Sequence, residues 1–122
     1  MSPLTRSLAG EQLFFDLANQ ISELRGDDAY SRSGRAGRTL VKSGALRLTL
    51  TVMADGVDVG THQAETPMTL QVLEGGLSYR VEDEEFRLGQ GELLFFGPGH
   101  ARDIKSSGET ALLLTITGDG GA

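Results

Sequence analysis

The chain contains no cysteine, only two histidines, and fewer basic than acidic side chains, 11 against 17. Each shortage excludes something. Without cysteine there are no disulfides, no thiolate nucleophile and no zinc-finger spacing, so His, Asp and Glu are the only candidate metal ligands. A net charge of −6 argues against a nucleic-acid surface, because neutralising phosphates takes clustered Lys and Arg. No apolar run approaches the ~18 residues that mark a membrane-spanning helix, so no membrane partner is expected. The N-terminal stretch MSPLTRSLAGEQLFF lacks a continuous apolar segment behind a basic start and a small-residue cleavage site. No secretory signal is therefore expected, and the expected location is cytoplasmic.

What is present fits one soluble globular domain: 122 residues, 39% of them hydrophobic. One local basic stretch, SRSGRAGR at 31–38, holds three Arg among Gly and Ser. It could touch a phosphate backbone, but in a short loop of an acidic protein it reads as a solvated linker. Upstream, Leu13, Phe14, Leu17, Ala18, Ile21 and Leu24 recur at helical spacing, with Arg25 in the last turn and Gly26 placed to stop it. One amphipathic helix is predicted over 10–25.

From about residue 38 the period changes to two. Leu46, Leu48, Leu50 and Val52 alternate with Arg47, Thr49, Thr51 and Met53; Leu77, Tyr79 and Val81 alternate with Ser78, Arg80 and Glu82. These are half-buried strands. Turn clusters at 43–44, 55–56, 75–76, 89–91, 97–99 and 118–120 divide the chain into short strands at the spacing of an all-β sandwich or barrel. The absence of βαβ alternation disfavours a parallel sheet. The acidic run EDEE at 82–85 reads as a solvated hairpin tip.

The segments GVDVGTHQAETPMTLQVLEGG at 56–76 and GELLFFGPGHARDI at 91–104 resemble the two motifs of the cupins, small jelly-roll barrels of the RmlC-like kind. The first motif, G-x5-HxH-x3-4-E-x6-G, keeps its frame at Gly56, His62 and Gly75. The second, G-x5-PxG-x2-H-x3-N, matches at Gly91 and Gly99, with Pro98 one place late. The resemblance spans about residues 38–117. It implies an all-β, double-stranded β-helix with an N-terminal amphipathic α-helix. The expected organisation is helix and linker over 1–37, cupin barrel over 38–118 and a disordered tail over 119–122.

In a cupin the HxH pair, the Glu and the second-motif His converge in the barrel mouth and hold a divalent metal. Carried over residue by residue, His62 matches the first ligand, but Ala64, Met68 and Arg102 stand at the other three positions. One imidazole beside a thioether and a permanent cation is a poor site for a hard or borderline divalent ion. No cofactor is therefore expected. A divalent metal remains an alternative if His100, two residues before Arg102, approaches His62 and recruits Glu65 or Asp103. Met68 reads most simply as filler of irregular core space. Tyr79 reads mainly as core. For Arg102, an inward guanidinium needs an internal carboxylate, solvent or an anionic ligand.

The reading carried forward is a cupin-domain protein that binds a small, anionic molecule in the barrel mouth, lined by His62, Met68, His100 and Arg102, without the usual metal. Two alternatives stay open: a metal-dependent dioxygenase or isomerase on a rearranged His62/His100 site, and a metal-independent isomerase with His62 as general base and Arg102 stabilising developing charge. The catalytic residues, if any, are not legible. The helix stripe with Phe14, Leu17 and Ile21 must pack on the barrel or a partner subunit. A homodimer is expected.

Overall fold

A computed structural model describes the backbone of residues 12–64, 66–97 and 99–117; within these, the side chains of 59–64, 96 and 99–102 are not described. The expected tail at 119–122 and the first residues of the expected helix lie outside the described residues. Two short helices, α1 (Leu17–Arg25) and α2 (Asp28–Ser33), precede seven strands. These are β1 (Arg35–Ser43), β2 (Leu46–Met53), β3 (Asp58–Ala64), β4 (Met68–Val81), β5 (Glu84–Gly89), β6 (Leu93–Phe96) and β7 (Gly99–Ile116). All pairing is antiparallel. The order is β1-β2-β7-β4-β5, with β3 added to β7 and β6 added to β4. Two long strands, β4 and β7, thus run through both halves of the jelly roll and carry every other pairing except β1–β2.

The alternation on β2 builds two hydrophobic layers. Leu50 and Val52 are fully buried in a layer shared with Ile21, Leu24, Leu40 and Ala111, so the strongly apolar face of β2 lies beneath the helices. Met53 belongs to the other layer, the barrel interior, with Leu70, Val72, Leu77, Tyr79, Ile104 and Leu112. The sheet is therefore covered on both faces near β2, which is why a Met interrupts the polar positions of an otherwise alternating strand.

The helix begins later than its periodicity predicts. Asp16 is the N-cap, and its carboxylate accepts from the Asn19 amide at 3.1 Å, so the chain before Leu17 is not helical and Phe14 is 86% exposed. The cap fixes the start more strongly than an apolar stripe can. At the other end Gly26 caps as expected, its amide donating to Ser22 and Glu23 carbonyls. Ile21 and Leu24 are 4% and 1% exposed, so this part of the stripe packs on the barrel, whereas Phe14 does not.

The stretch read as a linker, 31–38, is instead the end of α2 and the start of β1, which begins at Arg35 rather than near 38. A six-residue helix shows no usable periodicity, but its caps are in the sequence. The Asp27 carboxylate accepts from the Ala29 amide at 2.9 Å, and Gly34 closes α2 at φ 79°. Arg38, expected in solvent, donates to Gln20 at 2.6 Å and Glu23 at 2.7 Å and ties β1 to α1.

The expected turn at 75–76 is a second correction. Gly75 and Gly76 lie inside β4, where the register with β7 shifts between Val72, Glu74 and Gly76. Gly75 has φ +75°, and a Cβ there would overlap the carbonyl of Glu109. The two glycines let β4 bend and approach β7 closely, so a bulge forms where a chain reversal was expected. The expected turns at 55–56 and 89–91 are present, with Gly56 and Gly91 at φ +73° and +86°, but they do not reverse the chain: β3 continues along β7 where β2 leaves off, and β6 continues along β4 after β5. The EDEE run forms the β4–β5 hairpin tip and the first residues of β5, all exposed.

Candidate functional site

The inner face of the barrel opens at one end into a cavity of about 480 Å³, within the range of small-molecule sites. Among the described residues its walls are Met53, Met68, Leu70, Ile104, Leu112 and Leu114, an apolar set drawn from β2, β4 and β7. Met53 and Met68 are 1% and 3% exposed. Their unbranched thioethers adapt to irregular shapes.

The lip is built by the segment that resemblance to a minimal barrel leaves out. Ala29 and Ser33 of α2, and Arg35 and Gly37 of β1, reach the cavity with Thr51 of β2. Register explains why: Arg35 pairs with Met53 and Gly37 with Thr51, so these β1 residues share the inner face of β2, while Ala36, which also borders the cavity, pairs with Val52 and packs in the helix-side layer. Gly37 leaves room on that face. A Cβ there would meet only Thr51 Oγ1 at 3.5 Å and the Leu50 carbonyl at 3.6 Å, ordinary contacts.

The cations of the protein divide at this lip. Arg25 meets Glu74 at 2.9 Å and Glu109 at 3.9 Å, and Arg38 meets Glu23 at 2.7 Å. Arg80 and Arg87 lie 3.9 and 3.7 Å from Asp103 and Glu85. Arg35 is exposed and has no ion pair among the described residues.

Of the residues singled out from the sequence, Met68 is in the cavity wall, as its inward alternation with Leu70 and Val72 predicts. The side chains of His62, His100 and Arg102, and the whole of Glu65, lie outside the described residues; the ladder gives the backbone register of the first three. His62 pairs with Ala101 and His100 with Gln63. These are consecutive rungs of the β3–β7 ladder, whose register shifts on either side of Gly60, near Asp103 at φ +54°. Arg102 pairs with Arg80, an exposed residue of β4, and Asp103 is itself exposed. Among the described residues no cluster of three His, Asp or Glu could hold a metal ion.

Arg35 was missed because its stretch was read as a linker. The available signal was Gly34, a helix-ending glycine that commits the next residues to a new element. Elsewhere in the interior, burial pushes the Tyr79 phenol above its ordinary pKa, and its ring stacks on Phe86 with centroids 5.3 Å apart.

Comparison with solved structures shows the fold. The chain superimposes on a cupin superfamily protein of Desulfitobacterium hafniense with a TM-score of 0.63, at 18% identity, over 68% of this chain and 76% of that one. An RmlC-like cupin of Shewanella frigidimarina gives 0.63 at 18% identity, covering 70% and 77%. A protein of unknown function from Rhizobium leguminosarum gives 0.66 at 23% identity, covering 89% of this chain and 97% of that one. No protein-family model matches the chain, and no curated protein matches it significantly. The fold is that of a small cupin with an added N-terminal helix, as the two motifs and the strand spacing predict.

Proposed function

We propose that this cupin-fold chain binds a small, anionic organic molecule in its barrel cavity, and that binding does not use the usual cupin metal. The observation that carries the reading is the cavity of about 480 Å³ with an apolar wall and, at its lip, an arginine with no ion pair among the described residues. Where a cupin metal site would hold its carboxylate, Met68 is buried in that wall. Ala64 and Arg102 stand at two of the other ligand positions. The metal-dependent alternative needs His62 and His100 together, and their side chains lie outside the described residues. Fold alone decides neither a reaction nor a ligand, so the proposal rests on the cavity and its chemistry.

The test is native mass spectrometry and elemental analysis of the chain purified without a metal-affinity tag. The reading expects a small organic acid retained by, or restored to, metal-free protein. Stoichiometric iron, manganese, nickel or zinc, with no affinity of the metal-free protein for organic acids, would overturn it.

A further inference from the structure

We infer that the cavity is selective for amphipathic monocarboxylates, and that Arg35, on the β1 strand that follows α2, is the residue that recognises the carboxylate. The inference rests on the cavity-binding reading above and names the ligand class and its anchor.

Three observations converge on this. The walls from Met53 to Leu114 offer no charge, so the body of a ligand must be apolar to replace the water it displaces. At the lip, Arg35 shares a rung with buried Met53, which sets a guanidinium-bearing residue beside the apolar wall. Arg25, Arg38, Arg80 and Arg87 each have a carboxylate within 4.0 Å; Arg32, Arg35 and Arg47 have none among the described residues, and of these three only Arg35 lines the cavity. A planar, permanently charged fork matches a carboxylate in two parallel hydrogen bonds, and does so better next to apolar walls than in open water.

Gly37 supplies the fourth element. Its rung partner is Thr51, and glycine inside a strand weakens it unless something needs the space. Here the φ is not positive and an added Cβ meets only ordinary contacts, so neither backbone strain nor crowding explains the glycine. The missing side chain lies on the inner face between Arg35 and Thr39, where a ligand entering past Arg35 would pass. The proposal places anion recognition at Arg35; the side chain of Arg102 lies outside the described residues.

The experiment is calorimetric titration of the full chain with octanoate and with octanamide, its neutral counterpart of the same shape. Wild type should bind octanoate at least tenfold more tightly than octanamide. Arg35→Gln should bring octanoate down to the octanamide level and leave octanamide unchanged. Gly37→Leu should abolish both while keeping the wild-type melting profile; Gly37→Val serves if the larger residue disturbs folding. Equal affinity for acid and amide would overturn the carboxylate inference while leaving the cavity reading intact. Acid preference that survives Arg35→Gln and disappears in Arg102→Gln would return the anchor to Arg102. Failure of wild type to bind either probe, or any member of the series from hexanoate to dodecanoate, would sink the cavity reading itself.

Discussion

Single residues explain most of what the sequence made legible and what it concealed. The motif glycines were readable because each has a local reason: Gly56 and Gly91 sit in turns at positive φ. Gly75 was placed correctly as a motif residue but not as a bulge, since a glycine's need for close approach depends on a strand 34 residues away. There Thr110, fully buried, receives the Gly76 amide at 3.3 Å and donates to the Gly76 carbonyl at 2.8 Å. Gly75→Ala should therefore cost on the order of 3 kcal/mol, combining a left-handed backbone with overpacking against the Glu109 carbonyl. Urea unfolding of the variant checks this; a midpoint equal to wild type would show that the bend relaxes freely. Ser106 poses a parallel case. It is 4% exposed, its hydroxyl donates to the Ala54 carbonyl, and it accepts from the Val57 amide at 2.8 Å. Ser106→Ala should destabilise by about 1–2 kcal/mol, because two half-buried backbone groups lose their partner.

Among the elements, strands were more legible than helices. Alternation on β2 and β4 is a long-range physical demand of a sheet with buried faces, so it survives in the sequence. It did not say which face met the helices, because both faces of β2 are covered. α2 was invisible to periodicity and visible only through its caps, Asp27 and Gly34. The start of α1 was misplaced for the same reason: Leu13 and Phe14 extend the stripe, but Asp16 ends the helix before them. Asp16→Ala should cost about 1 kcal/mol, the usual loss for an N-cap carboxylate, measured by chemical denaturation. Asp16→Asn should recover most of it. Because α1 lies against β1 and β2 rather than on the cavity, neither change should alter octanoate affinity.

Taken whole, the molecule couples a helix layer to a barrel through a few charged and phenolic groups. Arg25 of α1 reaches Glu74 of β4, and the Tyr30 hydroxyl of α2 donates to Glu109 of β7 at 3.0 Å. Burial first, and the bond to Glu109 second, push the Tyr30 pKa above its ordinary value of 10.0; burial does the same for Tyr79. Both phenols hold their protons more tightly folded than unfolded. Their contribution to stability is thus complete below pH 10 and is lost as pH rises through the folded-state values. The urea midpoint should be level in the neutral range and fall above pH 10, less steeply in Tyr30→Phe.

The central claim, that the barrel interior is a binding cavity, is tested most directly by the methionines. The chain has three, Met1, Met53 and Met68, and only the last two line the cavity among the described residues. Methyl-labelled methionine gives one nuclear magnetic resonance signal for each. Titration with octanoate should shift the Met53 and Met68 methyl signals together, with one saturating affinity. Saturable binding by calorimetry with the Met53 and Met68 methyl signals unmoved would contradict the account, because the ligand would then sit somewhere other than the barrel.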